Sequence, residues 1–184
     1  MDEAIVKAEV LIEALSYIRQ FRDRLTVIKV GGSYMDNASA LRDTLQDIVF
    51  METVGMRPVV VHGGGKAINR AMEQAGLSPR FVQGRRYTDQ ATLELVARVL
   101  VDEINDSLVR QIEELGGRAA GLHHQTSQCL FGGRTSLRDS SGSPLDLGLV
   151  GEVTQVDTRL IENLCVAGVV PVIPCLALDI AFKT

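Results

Sequence analysis

A chain of 184 residues with 46% hydrophobic and 23% charged side chains is long enough for one well-buried domain, and its ordinary globular balance excludes a mainly disordered protein. Its formal net charge of -4, with no concentrated basic face, excludes nucleic acid as a partner, so an anionic ligand has to be met locally. Cys129, Cys165 and Cys175 are odd in number and lack CxxC spacing, which suggests neither a disulfide framework nor a zinc site and fits a reduced, cytoplasmic setting.

The opening MDEAIVKAEV carries acids where a secretion signal has basic residues. Residues 2 to 22 predict a helix in which Ile5, Ala8, Ile12, Leu15 and Ile18 form one stripe. Val6, Val10, Leu11 and Ala14 widen that stripe, so the segment is either a long first core helix or one that meets a partner helix. LTVIKV (25–30) then reads as a short buried strand ending at Gly31 and Gly32, followed by a helix with Leu41, Leu45, Ile48 and Val49 at helical spacing that stops at Gly55. RPVVVH (57–62), the turn Gly63 to Gly65, and a helix from Lys66 to Ala75 closed by Gly76 repeat that grammar.

Thr88 or Asp89 is placed to cap a long helix through Leu93, Val96, Leu100, Ile104, Leu108 and Ile112, ended by Gly116 and Gly117. RAAGL follows as a strand, and residues 123 to 156 read as hairpins (CLF, GEVTQV) joined by a long polar loop. Asp157 or Thr158 caps a last helix closed by Gly168, and VVPVI is one more buried strand. The longest apolar run, LCVAGVVPVIPCLAL, is broken by Gly168, Pro171 and Pro174 and falls short of the roughly 20 residues that cross a bilayer, so no membrane segment is expected. Helices alternating with continuously apolar strands predict an α/β fold, a parallel sheet covered on both faces.

Both glycine turns fall at the carboxyl ends of strands, where an open α/β sheet binds ligands and where helix N-termini offer free N–H groups. Glycine lets an anion reach the backbone amides, and such turns often need a positive φ. HGGG therefore reads as a backbone cradle for an anion, against the alternative of a tight strand-to-helix turn. No GxxxxGK[ST] is present, and Ile68 stands where the dinucleotide fingerprint has Gly or Ala. Lys29, inside an apolar strand two residues before Gly31, must find an anion, suffer desolvation or reach out to solvent. Lys66 adds charge beside the second turn or is simply solvated. In GRRYTD (84–89) one of two arginines is placed to grip a carboxylate through two parallel hydrogen bonds, unless both are ordinary loop residues. His62 is read as a turn residue donating to backbone. His123 and His124 are chain neighbours that cannot share a strand face, so no metal site is assigned.

VIKVGGS, RPVVVHGGGKAIN, GRRYTD, DLGLVGEVTQVD and GVVPVIPCLALD, in this order, resemble the amino-acid kinase superfamily and, within it, the N-acetylglutamate kinases. The resemblance implies a three-layer α/β/α sandwich with a mainly parallel sheet, of the carbamate kinase-like type. It implies ATP-dependent phosphorylation of the γ-carboxylate of N-acetyl-L-glutamate, with magnesium, to an acyl phosphate and ADP in arginine biosynthesis. On this match Lys29 bridges the transferring phosphoryl group, Gly31 and Gly32 lie over the ATP phosphates, Gly64 and Gly65 hold the reacting end of the amino acid, and Arg86 grips its α-carboxylate. Residues 1–23 are then an N-terminal oligomerisation helix, of the kind that interlaces dimers into a hexamer, and residues 24–184 the amino-acid-substrate-binding domain, dimerising through its long helix. Kinases of the family continue into a C-terminal nucleotide domain with an adenine site and a second catalytic lysine. None of this can be matched after Asp179, so the chain is expected to lack that domain and to turn over little or not at all alone. Locally the chain departs from the family at GLHHQTSQCLFGGR, at Arg85 and Tyr87, and at Lys66, where proline is frequent. The competing expectation is a non-catalytic module that senses an amino acid or scaffolds an oligomer.

Overall fold

The structure is a computed structural model that describes residues 2–135, 137–138, 141–179 and 181, the side chains of residues 2, 3, 33 and 34 excepted. Helix α1 (Asp2–Phe21) leads into strand β1 (Leu25–Val30), a short helix α2 (Gly32–Met35) and α3 (Ala38–Thr53). Strand β2 (Arg57–His62) and helix α4 (Gly65–Gln74) follow, then a hairpin of β3 (Phe81–Val82) and β4 (Arg85–Arg86). The long helix consists of α5 (Gln90–Arg98), a π-helical turn (Val99–Asn105) and α6 (Asp106–Glu114). The remainder is β5 (Ala119–Gly121), β6 (Leu130–Arg134), β7 (Gly151–Val156), α7 (Thr158–Val166), β8 (Val170–Pro174) and β9 (Leu178–Asp179).

β1, β2, β8 and β5 form, in that order, a four-stranded parallel sheet. Alternation sends successive side chains of each strand to opposite faces. Val30, Val60, Val170 and Val172 point to the face covered by α3 and α6, where they pack with Leu45, Ile48, Leu108 and Ile112. Val59 and Ile173 meet Ile161 and Cys165 of α7 on the other face. Each such fully buried aliphatic side chain contributes about 1.5–3 kcal/mol, so the two clusters fix the three-layer arrangement that the sequence predicts. A third cluster joins Ile68 and Met72 of α4 to Leu95 and Val99 of the long helix. Separate from the main sheet, β7, β6 and β9 make a second, three-stranded one.

Helix ends follow the sequence signals. Asp89 and Asp157 accept from the amides of Thr92 and Leu160 and cap α5 and α7. Gly55, Gly76, Gly116 and Gly168 stop four helices with φ between 69° and 88°, a region that other residues enter at a cost. The helix after the first glycine turn is interrupted, however: residues 36 and 37 separate α2 from α3, and Asn37 caps the latter by accepting from Ala40 N. The expected stripe holds along the long helix, with Leu100, Leu108 and Ile112 buried and Val96 and Ile104 packed beside them. A second line of buried residues changes phase there: Thr92 and Leu95 are buried before the π-helical turn, Val99 at its start and Asn105 at its end. An unbroken α-helix phased on the first three returns its buried face at about residues 103 and 106, but Glu103 and Asp106 are exposed.

β8 is a central strand with two prolines, Pro171 and Pro174. Its ladder with β2 runs from Val172 to Pro174 and starts just after the first of them. α1 lies at the opposite extreme of burial. Ile5, Val6, Val10, Leu11, Ile12 and Leu15 are all exposed, so it is not a core helix of this chain.

Candidate functional site

Because β1 and β2 are parallel and in register, with Lys29 beside Val61 and Val30 beside His62, both glycine turns emerge side by side at one edge of the sheet. A methyl group at Gly32 would sit 3.4 Å from Gly65 N and 3.7 Å from Lys66 N. Those two amides open α4 and have no acceptor within the helix, and Gly64 as N-cap brings no side chain to them.

The expectation of positive φ in the turns does not hold. Gly31, Gly32, Gly63, Gly64 and Gly65 are absent from the residues with φ in the left-handed region. Gly64 has a packing reason, since a methyl group there would lie 2.6 Å from Ile104 Cδ1 and 2.8 Å from Leu100 Cδ2. At Gly31, Gly63 and Gly65 a methyl group meets nothing within 4 Å, so neither backbone conformation nor packing calls for glycine there.

Lys29 is exposed, which excludes desolvation among the three alternatives for its ammonium. The face of β1 that carries Leu25, Val27 and Lys29 is largely uncovered because α7 packs mainly on β2 and β8, leaving Val27 60% exposed. The Lys29 ammonium lies near Cys175, whose thiol it pulls down against the larger upward push of desolvation. Lys66 is not free charge at the second turn. Its Nζ lies 2.9 Å from Asp36, which Arg70 also contacts at 3.2 Å, and the two cations hold the Asp36 carboxyl below its ordinary range, Lys66 foremost.

Of the two loop arginines, Arg85 is exposed while Arg86 turns to the glycines. From its sequence this segment is expected to be a loop. The structure makes it a two-residue hairpin, with Gln83 and Gly84 both at positive φ (49° and 76°), as that turn demands. Arg86 lies 4.9 Å above the Phe81 ring, donates to Asn69 Oδ1 and to Met72 Sδ, and approaches Gly65 O at 3.5 Å. Partial burial lowers its pKa. The polar loop before β7 holds it from the far side: Thr88 N donates to Leu147 O, Leu149 N to Thr88 O, and Thr88 Oγ1 to Arg86 O at 3.1 Å. The predicted residues Lys29, Gly31, Gly32, Gly64, Gly65 and Arg86 thus gather at the tips of β1 and β2. Asn69, missed in the sequence, stands four residues after Gly65, one helical turn on, a spacing that identifies it once Arg86 is known to reach α4.

His62, the last residue of β2, is fully buried, and desolvation drives its pKa down to about 4. Its Nδ1 lies 3.4 Å from Gly63 O, in keeping with a turn residue that donates to backbone. Cys129 is buried and its thiol is pushed up to about 11 by desolvation, so it is inert at neutral pH.

The class these features define is an open α/β-sheet domain whose strand tips and glycine turns form an edge suited to anions. The chain belongs to the amino acid kinase family, whose model matches residues 24–181. It is 44% identical over 180 residues to an acetylglutamate kinase of Methanococcus maripaludis, covering 96% of this chain and 61% of the relative. Its identity to an acetylglutamate kinase of Synechocystis is 43% over 178 residues, covering 97% and 58%. The chain therefore spans about three-fifths of the length of these relatives. Among solved structures it resembles a Streptococcus mutans protein (TM-score 0.73, 27% identity, 86% of this chain and 61% of that one). An N-acetylglutamate synthase of Neisseria gonorrhoeae, solved with coenzyme A and N-acetyl-glutamate, shares the fold at TM-score 0.75 and 22% identity, covering 93% and 38%.

Proposed function

We propose that this chain carries the acceptor-binding half of an N-acetyl-L-glutamate kinase of arginine biosynthesis. The observation that carries the reading is the adjacency of the two glycine turns, Gly32 against the Gly65 and Lys66 amides, with Lys29 and Arg86 flanking them. The chemical problem is to bring a carboxylate to a phosphoryl group although both are anionic, so positioning and charge neutralisation supply most of the catalysis. Arg86 grips the α-carboxylate of the acceptor, steadied by Asn69 and the Phe81 ring. The backbone at Gly64 and Gly65 holds the reacting γ-carboxylate, whose oxygen forms a bond to the γ-phosphorus as the bridging P–O bond breaks and ADP leaves with the electron pair. Lys29, exposed at the tip of β1, meets the phosphoryl group in flight, and Gly31 and Gly32 lie beneath the ATP phosphates.

ATP is the co-substrate in this reading. Magnesium belongs to this reading as the counter-ion carried on the nucleotide's phosphates. Residues 24–184 form the substrate domain and residues 1–23 an oligomerisation helix, whose exposed apolar residues pack against other copies to join homodimers into a hexamer. No helix among the described residues is long and apolar enough to cross a membrane, and a cytoplasmic setting suits three free cysteines. Titration calorimetry with N-acetyl-L-glutamate tests the reading. Binding that Arg86→Ala weakens is expected, and no heat from the wild-type chain would count against it.

A further inference from the structure

The acceptor reading needs the Gly63–Gly65 turn to keep one orientation, and no side chain caps α4 to hold it. The turn is held from behind instead. Asn105 and His62 are both fully buried, and Asn105 Nδ2 lies 3.0 Å from Val172 O and 3.0 Å from His62 Nε2. A carbonyl oxygen only accepts, so the Asn105 atom facing Val172 is the amide nitrogen, and its second hydrogen goes to His62 Nε2. That makes Nε2 an acceptor and puts the ring proton on Nδ1, which faces Gly63 O. The Gly63 carbonyl and the Gly64 N–H belong to one planar trans peptide and point in opposite directions. Holding the carbonyl toward His62 therefore aims the Gly64 amide away from it.

Two further observations single out Asn105. Its Oδ1 has no hydrogen-bond partner among the described residues, so the amide is oriented by the hydrogens it gives, at the cost of a bare buried oxygen. Gly121 makes room for that oxygen, since a methyl group there would collide with it. The π-helical turn ends at Asn105 and rotates this part of the helix inward, bringing the side chain onto His62 of β2 and Val172 of β8.

We propose that Asn105 is a positioning residue for the acceptor site: a relay from the Val172 carbonyl through Asn105 and His62 to the Gly63 carbonyl sets the direction of the Gly64 amide. The inference rests on the reading that this turn receives the acceptor's carboxylate. Burial, with His123 nearby acting in the same sense, keeps His62 neutral near pH 7, and a protonated ring would set Nε2–H against the Asn105 amide hydrogens.

Long-range proton–nitrogen spectra of the 15N-labelled chain test the relay directly. His62 is expected to show a protonated Nδ1 and a bare Nε2; a protonated Nε2 in the wild type overturns the proposal. In Asn105→Ala the ring is expected to shift toward the Nε2–H form and the Gly64 and Gly65 amide signals to move. N-acetyl-L-glutamate is expected to bind roughly tenfold more weakly, the loss of about one hydrogen bond's worth of orientation. Leu108→Ala, from the same buried helix face, controls for plain loss of stability and should leave the His62 ring and the glycine amides unmoved. If Asn105→Ala fails to fold, the near-isosteric Asn105→Asp, whose carboxylate accepts from Nε2–H, reverses the tautomer in its place; if neither folds, the wild-type tautomer decides. A folded Asn105 variant that binds as tightly as the wild type sinks the relay and leaves the acceptor reading intact. A wild type that does not bind, with the ring and amide signals behaving as described, sinks the acceptor reading and leaves the relay standing.

Discussion

The turn after β1 and the turn after β2 share one grammar of strand, glycines and helix, yet they are supported in opposite ways. Behind the second lie a buried histidine, a buried asparagine and a neighbouring strand, and it opens a ten-residue helix packed on the long helix. The first leads into a four-residue helix and follows a strand with one uncovered face. Similar local sequence thus yields a fixed cradle where the wall is thick and an open ledge where it is thin. In the proposed reaction this division suits an acceptor that must be held at a fixed angle and a phosphoryl group that has to come and go.

Acid is expected to separate the two turns most sharply. The folded-state pKa of His62 is depressed to about 4 from an ordinary value near 6.5, so the unfolded chain binds its proton first. The stability tied to neutral His62 is complete above pH 6.5 and is lost as pH falls toward 4, by about 3 kcal/mol in all. Denaturant melts across that window should show the loss, and His62→Gln should flatten it; equal slopes would break the claim that the second turn is anchored by a buried neutral ring. His123, also shifted downward by burial, adds in the same direction and stays in both proteins.

Arg86→Ala comes next, with acceptor binding reduced roughly a hundredfold, about 2.7 kcal/mol for a paired charge-assisted contact. Calorimetry reads it, and an unchanged affinity would detach the arginine from the cradle. Gly64→Ala drives a methyl group onto Ile104 and Leu100 and should cost about 1–3 kcal/mol of stability by overpacking, seen as a lowered Tm. The smallest effect on stability belongs to the ledge. Gly31→Ala meets nothing within 4 Å and should leave the melt unchanged or raise it by up to about 1 kcal/mol. A large destabilisation there would erase the contrast between the turns.

Much of this architecture is written locally. Helix stops at Gly55, Gly76, Gly116 and Gly168 and caps at Asp89 and Asp157 depend on the conformational preferences of single residues, so the order of strands and helices can be read in the chain. The gathering of Lys29 and the glycines is legible too, because consecutive parallel strands place their tips together, whereas Arg86, on the β3–β4 hairpin, is singled out by the resemblance alone. What stays hidden depends on depth and rotation. Lys29 looks buried in LTVIKV but is exposed, because strand cover depends on how far α7 reaches across the sheet. Asn105 looks like a polar residue beside an apolar stripe. Only the extra residues of the π-helical turn carry it inward, and no periodicity in the sequence announces them. Asn69 gains its meaning from a partner seventeen positions away.

The two prolines of β8 carry a last consequence. A strand between two neighbours has backbone donors to spend on both, and proline has none to give. Pro174 stands in the ladder with β2 beside His62 and Pro171 in the ladder with β5 beside Ala120, so the residues between them supply the donors, and sliding β8 by a single residue would turn its valines to the wrong layer. The middle of the sheet therefore has one alignment open to it, and the edge above inherits that alignment.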